Sequence, residues 1–107
     1  MRIKTSELTG APLNWAVAKI IGLDIELRYG VVHVDDEPFM PDLDWAVAGP
    51  IIERESITVG PNPFGPAFAA NLSDLDTYGP TPLIAAMRCY VASQLGGEVE
   101  IPKELLT

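Results

Sequence analysis

Hydrophobic residues at helical spacing predict an amphipathic helix near the N-terminus. They recur at i, i+4 and i+7, the spacing that places side chains on one helical face. The residues on this face are Leu13, Ala16, Val17, Ile20 and Ile21. Pro12 suits the first turn, where its missing N–H costs no hydrogen bond, and Gly22 provides the stop. Trp15 falls on the opposite side, next to Lys19, so we expect it to be exposed or to pack against another part of the protein.

A second helix, predicted from Pro82 to about Leu95, is the strongest element in the sequence. Thr81 is a suitable N-cap, and Gly96-Gly97 marks the end. Its large apolar residues are Leu83, Ile84, Met87, Val91 and Leu95, with Tyr90 at the edge. The other side carries the small residues Ala85, Ala86, Cys89, Ala92 and Ser93. Because such a helix is usually buried, we expect a sheet on the large face and close backbone approach on the small face.

The segments that predict strands are shorter than the predicted helices, and turn residues separate them. Residues 25–34 alternate apolar and polar side chains and then become β-branched, which predicts a strand or a hairpin about Gly30. Residues 2–5 and 56–59 are weaker strand candidates, and residues 99–106 suggest a strand and a final turn.

Acidic residues, prolines and glycines predict where these elements stop. Residues 35–38 are expected to end the strand, and residues 38–44 to form a loop. Asp44 is a candidate cap for a short turn, after which Gly49-Pro50 is expected to start a separate helix over 51–55. From residue 60 to about 80 the prolines and glycines predict a loop.

Length and composition favour one α+β domain. A chain of 107 residues suits a single core, so we assign residues 1–107 to one domain. A hydrophobic fraction of 48% argues against disorder. The expected architecture is a largely buried C-terminal helix packed on a short, mostly antiparallel sheet, together with the amphipathic N-terminal helix.

Charge and cysteine content restrict the class of partner. The net charge of −8 disfavours direct binding to nucleic-acid phosphates or an anionic membrane. It suits solubility, a basic protein partner, or mimicry of nucleic acid. The single cysteine, Cys89, permits no intrachain disulfide, which fits a reducing compartment. We find no signal-peptide pattern and no apolar run near the roughly 20 residues of a membrane span.

Several blocks of the sequence resemble a phage protein family. The blocks are 5–10, 15–19, 44–45, 49–55, 79–93 and 95–102. Together they are similar to the signatures of the NinX-like phage family, and they leave out residues 23–40 and 60–78. The resemblance implies a phage or prophage accessory protein of the host bacterial cytoplasm. It brings no catalytic residues to carry over.

The residues give little support for catalysis or for a metal centre. His33 is followed by acids, but no second histidine or coordinating cysteine stands at ligand spacing. Cys89 lies mid-helix on the small face, a position typical of a buried, inert thiol. No phosphate loop, serine elbow or paired-carboxylate motif is visible. We therefore expect no metal and no cofactor, and enzymatic activity is disfavoured.

Arg88 is the most informative polar residue, because a guanidinium on a buried helix must be paired or must reach water. One interpretation is a structural ion pair with Glu53 or Glu55. The other is an anion-holding site whose pocket is walled by tryptophans. The candidate binding residues of that site are Trp15, Trp45, Arg54 and Arg88.

An acidic segment offers a second candidate surface. No Lys or Arg occurs between Arg28 and Arg54, while acids are frequent. These acids are Asp35, Asp36, Glu37, Asp42, Asp44 and Glu53. They are either a solvated loop or a negative face for a basic partner.

Two functional hypotheses follow, with a third behind them. The first is an accessory protein that binds a host or phage protein through Asp35, Asp36, Glu37 and an exposed Trp15. The alternative is a domain that binds a small molecule or a nucleotide through the candidate arginines and tryptophans. This alternative includes an enzyme that acts on such a molecule. Nucleic-acid mimicry is weaker, and it requires regularly spaced carboxylates on one face.

Overall fold

Helices and short antiparallel strands alternate along the chain. The computed structural model describes residues 1–63, 65, 68–72 and 75–105. The helices are α1 Gly10–Ile21, α2 Trp45–Glu55 and α3 Pro82–Leu95, with short 3₁₀ helices at Thr5–Glu7 and Lys103–Leu105. The strands are β1 Arg2–Lys4, β2 Glu26–Arg28, β3 Val31–Val34, β4 Glu37–Pro38, β5 Thr58–Pro61, β6 Phe68–Leu72, β7 Leu75–Gly79 and β8 Glu98–Glu100. In these residues no helix has the length and hydropathy that crossing a bilayer requires.

The strands form three small antiparallel sheets, which confirms the α+β class. Their orders are β1-β8, β2-β3-β4 and β5-β6-β7. The first sheet joins the two ends of the chain. Thr5 extends this connection, because its N–H donates to the Gly97 carbonyl at 2.8 Å and its hydroxyl donates to the Gly96 carbonyl at 2.7 Å.

The N-terminal helix has the predicted bounds and the predicted buried face. Leu13, Ala16 and Val17 are fully buried. Gly22 ends the helix in the left-handed conformation, with φ of 87°, and its N–H donates to the Ala18 carbonyl at 3.0 Å. Glycine adopts this conformation without the steric cost that a β-carbon brings.

The C-terminal helix α3 is the buried centre of the fold, as predicted. The Thr81 hydroxyl accepts a hydrogen bond from the Ile84 N–H at 3.1 Å, which caps the first turn. Backbone approaches the small face closely, as predicted, and it is the backbone of strand β7. The Thr77 hydroxyl of β7 donates to the Ala85 carbonyl at 2.8 Å, and Cys89 Sγ lies 3.7 Å from the Leu75 carbonyl. The predicted close backbone approach on the small face is therefore present. The same strand β7 also meets Ile84 of the large face, whose Cγ2 would lie 3.1 Å from a β-carbon at Gly79.

Two tight turns shape the β2-β3-β4 sheet. Tyr29 and Gly30 have φ of 53° and 76°, the positive pair that a two-residue hairpin turn requires. Asp35 and Asp36 repeat this geometry, with φ of 53° and 65°. The hairpin about Gly30 is confirmed. The strand ends at Val34, as predicted, and the second turn then leads into the short strand β4.

Helix α2 is continuous, although two separate pieces were predicted. Asp44 caps it by accepting from the Ala46 N–H at 3.0 Å. Pro50 lies inside the helix and removes the bond that its N–H would have donated to the Ala46 carbonyl. Ala48 and Ile51 are buried on one face. Their packing against the core outweighs the lost hydrogen bond.

The predicted loop over 60–80 is also wrong, since it contains β6 and β7. The described prolines of this segment, at positions 61, 63 and 80, lie outside these two strands. Ala70 and Thr77 are buried partners in the β6–β7 pairing, and they face α3. Contact with a distant helix therefore determines strand formation here. The part of the prediction that concerns Phe64, Pro66, Ala67, Ser73 and Asp74 lies outside the described residues.

Gly79 tests the close approach between β7 and α3. A β-carbon at Gly79 would lie 2.8 Å from the Ala85 backbone nitrogen, which cannot move without distorting the helix. We expect Gly79→Ala to lower the free energy of unfolding by about 2 kcal/mol or more, the range of overpacked cores. Urea denaturation measures the change.

Gly60→Ala is the matched control in the same sheet. A β-carbon at Gly60 would meet nothing within 4 Å, so this variant should keep the wild-type midpoint within error. Equal midpoints for the two variants would show that the β7–α3 approach is not a tight constraint.

Candidate functional site

A small cavity lies where α1, the β2–β3 hairpin and the segment before α2 meet. Its volume is about 180 Å³. Its lining residues are Gly10, Ala11, Asn14, Gly30, Val31, Val32, Met40, Asp42 and Leu43. We call it the Asp42 cavity. Asp42 is the one charged residue among those that line it.

Three sets of hydrogen bonds hold the wall that carries Asp42. The Phe39 N–H donates to the Val32 carbonyl at 2.8 Å, which joins the segment to β3. The Met40 carbonyl accepts from Leu43 and Asp44 at 3.0 and 2.9 Å, which closes a turn. The Asp42 N–H donates to Asn14 Oδ1 at 3.1 Å. This last bond attaches the turn to α1 across 28 residues of sequence.

The Asp42 carboxylate is buried without a complete set of partners. The residue is 6% exposed, and its Oδ1 has no hydrogen-bond partner among the described residues. This Oδ1 atom has almost no accessible surface. The start of α1 lines the same cavity at Gly10 and Ala11.

Large apolar side chains are exposed beside this cavity. Leu43 lines it and is 69% exposed. Tyr29 precedes the lining residue Gly30 and is 104% exposed, while Trp45 begins α2 two residues after Leu43 and is 57% exposed. We refer to the Asp42 cavity together with Tyr29, Leu43 and Trp45 as the Asp42 surface.

The acidic turn selected from the sequence lies at the other end of β3. Asp35, Asp36 and Glu37 are all exposed. Asp36 is not free, because it accepts a hydrogen bond from the Arg28 guanidinium, which also binds Glu26 at 2.8 Å. These bonds raise the pKa of Arg28 and lower the pKa of Glu26. The turn therefore carries less free negative charge than its sequence indicates.

Trp15 belongs to a different part of the surface. It is partly buried against the core, and Lys19 Nζ lies 6.0 Å from its ring centroid. Trp15 and Lys19 line a groove of about 320 Å³ with residues of α3 and β8. The predicted contact with Lys19 is present. The more exposed tryptophan is Trp45.

Arg88 connects three segments through their backbone. It is 9% exposed, its Nε donates to the Leu8 carbonyl at 2.8 Å, and its Nη1 donates to the Tyr78 carbonyl at 2.8 Å. Burial lowers the pKa of the guanidinium. In the described part of the chain no carboxylate forms an ion pair with Arg88, so the expected pair with Glu53 or Glu55 is absent. The charge is solvated by carbonyl dipoles instead.

Arg54 lies on the exposed side of α2. Its Nε donates to Glu55 Oε2 at 3.0 Å, and its Nη2 donates to the Tyr90 hydroxyl at 3.3 Å. The bond to Glu55 is the main cause that raises the pKa of Arg54. Arg54 and Arg88 thus have separate partners.

The four candidate binding residues do not share one cavity in the described structure. Trp15 lines the groove beside β8, while Trp45, Arg54 and Arg88 line none of the four cavities that can be described in residues 1–63, 65, 68–72 and 75–105. The largest, about 500 Å³, is a groove between α3 and the β6–β7 hairpin. Its described polar atoms include no buried atom without a partner.

The described side chains that could bind a metal ion do not lie together either. In the described residues no cluster of three or more His, Cys, Asp and Glu side chains is arranged to hold a metal ion. His33 Nδ1 lies 3.1 Å from the Val31 carbonyl. Cys89 is fully buried, and burial raises the pKa of its thiol.

Sequence patterns did not single out the residues of the Asp42 surface other than Trp45. Asp42 appeared only as one acid in a charged segment, and Asn14 seemed an ordinary polar residue of α1. The sequence did indicate that Tyr29 is exposed. A residue of a two-residue hairpin turn lies at the tip of the hairpin, away from the core.

Comparison with known proteins identifies a family. The family model described as "Bacteriophage P22, NinX" matches residues 4–94. This match confirms the resemblance. It runs through residues 23–40 and 60–78, which the similar blocks had left out, and it stops before the block at 95–102. No curated protein matches the chain.

Arg88 is expected to be structural. Arg88→Met keeps the apolar stem but removes the donors to Leu8 and Tyr78, so we expect a loss of about 2–4 kcal/mol in the free energy of unfolding. Arg54→Met is the control, because removing an exposed ion pair costs about 1 kcal/mol at most. Chemical denaturation compares both with wild type. An Arg88→Met variant as stable as the control would contradict the structural role.

Asp42 and Asp44 are expected to have opposite effects on stability. Asp42→Asn removes a buried charge whose Oδ1 is unpaired, so we expect the free energy of unfolding to rise by about 1 kcal/mol. Asp44→Ala removes the cap of α2 and should lower it by about 1 kcal/mol. Thermal unfolding at one fixed pH compares the two variants. A clear destabilisation by Asp42→Asn would show that the carboxylate makes an essential contact within the folded chain.

Proposed function

The chain belongs to the bacteriophage P22 NinX family, and from this premise we propose that it is a phage accessory protein that binds a basic host or phage protein in the bacterial cytoplasm. The proposed contact region is the Asp42 surface. The observation that carries the proposal is the exposure of Tyr29, Leu43 and Trp45, which belong to the segments that line the Asp42 cavity.

The composition of this group supports protein binding. Single exposed hydrophobic residues are common on soluble proteins and need no explanation. Leu43 lines the Asp42 cavity, and Tyr29 and Trp45 lie within two residues of its lining residues Gly30 and Leu43. Tyrosine and tryptophan are enriched among the residues that dominate binding energy in protein interfaces. Such residues bury a large area while losing few rotatable bonds.

Electrostatics support a basic partner. The chain carries a net charge of −8, and no Lys or Arg occurs between Arg28 and Arg54, the segment that contains Tyr29, Asp42, Leu43 and Trp45. Complementary charge raises the rate of encounter and disfavours partners of the same sign. Asp35 and Glu37 lie at the far end of β3 from Gly30, where they extend the negative region.

The contact region proposed here differs from the one expected from the sequence. Trp15 is partly buried and lies beside β8, and Asp36 is paired with Arg28. Trp45 and Leu43 are more exposed and are next to the cavity. The hypothesis of a protein-binding role is kept, with a different set of contact residues.

A quantitative capture experiment tests this proposal. Tagged wild-type protein and a Leu43→Ser/Trp45→Ser variant are used to capture proteins from bacterial lysate, with and without phage infection, at low and high salt. We expect a basic protein to be enriched by wild type and reduced at least about tenfold by the variant, because interface anchors are each worth about 2 kcal/mol or more. Titration calorimetry with the purified partner then measures the affinity directly.

The matched control removes two half-exposed apolar side chains from other elements. Tyr78→Ser/Leu95→Ser changes β7 and the end of α3, away from the Asp42 surface. It should capture the partner as wild type does. Equal capture by both double variants, or a partner that is not basic, would refute the proposed surface.

A further inference from the structure

The groove that Trp15 lines runs along one edge of the β1–β8 sheet. Its volume is about 320 Å³, and its lining residues are Trp15, Lys19, Leu95, Glu98, Val99 and Glu100. Strand β8 contributes consecutive residues, whose side chains point to both faces of the sheet, whereas β1 contributes none. The groove therefore lies on the side of β8 that faces away from β1. We call it the β8 groove.

The register of the β1–β8 pair determines which backbone groups of β8 are free. The Thr5 N–H donates to the Gly97 carbonyl at 2.8 Å, so these two residues form a hydrogen-bonded pair of the ladder. Such pairs alternate with non-hydrogen-bonded pairs along antiparallel strands. Val99 therefore bonds to β1, while Glu98 and Glu100 direct their N–H and carbonyl groups away from it.

These outward backbone groups make β8 an open sheet edge. In the described part of the chain, the outward N–H and carbonyl groups of Glu98 and Glu100 have no hydrogen-bond partner. An extended peptide binds such an edge by adding one more strand. Backbone hydrogen bonds then supply affinity, and side chains at alternate positions supply specificity.

We propose that the β8 groove binds an extended, basic segment of another protein as a third, antiparallel strand of the β1–β8 sheet. The segment carries Lys or Arg opposite Glu98 and Glu100, and an apolar residue opposite Val99. This inference goes beyond the proposed function, because the β8 groove is a second site that shares no lining residue with the Asp42 cavity.

The charges of β8 argue for basic residues in the added strand. Glu98 and Glu100 are exposed, and the residues directly opposite on a new strand would have β-carbons about 5 Å from theirs. Opposite charges in such pairs stabilise the pairing of two strands. The cations of β1 lie one strand further away, at about 10 Å, where salt screens most of their repulsion.

Strand β1 already has this arrangement on the other side of β8. Its sequence, Arg2–Lys4, alternates a cation, an apolar residue and a cation, and the cations pair with the two glutamates of β8. Arg2 approaches Glu98 Oε1 at 4.0 Å and Glu100 Oε2 at 3.9 Å. A carboxylate has two oxygens and accepts several donors, so each glutamate has acceptor sites left for a second neighbouring strand.

The walls of the groove suit the apolar residue of the added strand. Val99 is buried on the core side of β8, and the residue opposite it on a new strand points to the same side. Trp15 is packed against the core cluster that contains Val99, and Leu95 is 44% exposed. An apolar side chain in the groove covers part of both. Lys19, on the same helix as Trp15, disfavours a third cation in the groove.

A second copy of the chain fits this edge less well. Two β8 strands paired about a twofold axis would bring glutamates opposite glutamates, which is destabilising. The β1 strand of a second copy has a suitable pattern, but its Arg2 is already engaged by Glu98 and Glu100 of its own chain. That contact would also be head-to-tail, and such contacts form open filaments unless the rotation closes a ring.

Peptide probes test the added strand. ¹⁵N-labelled protein is titrated with acetyl-Thr-Lys-Val-Lys-Thr-amide and with a peptide in which glutamate replaces both lysines. We expect saturable shifts at the Glu98 and Glu100 amides and at the Trp15 indole, together with slower hydrogen exchange at the two glutamate amides. The lysine peptide should bind about tenfold more tightly, because the glutamate peptide places like charges opposite each other. The absence of saturable shifts at β8 would overturn the proposal.

N-methylated peptides distinguish an added strand from general attraction to an acidic protein. Methylation of both lysine N–H groups removes the donors to the Glu98 and Glu100 carbonyls and should weaken binding at least about tenfold. Methylation of the valine N–H is the matched control, since this group points away from β8 and its loss should leave the affinity nearly unchanged. An equal effect of the two modifications would refute strand addition.

Protein variants give a second readout. Glu98→Gln should weaken binding of the lysine peptide about threefold, the scale of an exposed ion pair. Glu53→Gln removes one exposed charge from α2 and should leave the affinity unchanged. Shifts at Glu98 and Glu100 that depend on protein concentration without peptide would show a second copy at this edge, and the proposal would then be wrong.

The outcomes are independent of those for the Asp42 surface. The Leu43→Ser/Trp45→Ser variant should bind the lysine peptide as wild type does, because neither residue lines the β8 groove. Loss of peptide binding in that variant would contradict the assignment to the β8 groove. If the capture experiment fails while the peptide binds at β8, the proposed function falls and the strand-binding edge stands.

Discussion

The direct approach of β7 to the small face of α3 determines how the rest of this structure is arranged. Gly79 permits the approach, because no β-carbon separates its backbone from Ala85. Thr77 then bonds to the Ala85 carbonyl, and Arg88 bonds to the Tyr78 carbonyl. The sheet and the helix are thus joined by both van der Waals contact and hydrogen bonds. A side chain at Gly79 would push the sheet away from the helix.

The position of the Asp42 surface follows from the same arrangement. Arg88 also bonds to the Leu8 carbonyl, just before α1, so it sets the entry of α1 relative to α3 and β7. Asn14 on α1 then holds the Asp42 N–H. Each of these polar groups is buried and connects segments that are far apart in sequence. Buried polar groups are costly unless satisfied, which makes them specific connectors where they are satisfied.

The parts of the fold that could be predicted are those determined locally. Caps, prolines and terminal glycines placed α3 from Pro82 to Leu95 and the end of α1 at Gly22, and Gly30 placed the first hairpin. Local signals failed where distant packing decides. Residues 68–79 contain weak strand formers whose pairing depends on burial against α3, and α2 continues through Pro50 because Ala48 and Ile51 are buried.

The candidate site was only partly predictable for a similar reason. An acidic segment without Lys or Arg indicated a negative surface, but sequence alone does not distinguish Asp42, which is buried, from Asp35, which is exposed. Burial of Asp42 depends on Asn14, a residue 28 positions away. The importance of Arg88 was predicted, while its carbonyl partners were not. Backbone carbonyls leave no pattern of side chains in a sequence.

Asp42 presents a conflict between folding and recognition that the rest of the molecule avoids. Arg88, the other strongly buried charged residue in the described chain, has its charge solvated by two carbonyls. Asp42 has no equivalent, since its Oδ1 has no hydrogen-bond partner among the described residues. A folded chain gains nothing from an unpaired buried acceptor. The exposed Tyr29, Leu43 and Trp45 share this property, since their apolar area is stabilising only when a partner covers it. These groups are unfavourable or neutral in the free protein, and they belong to the segments that form one surface. That is the physical argument for binding at this surface.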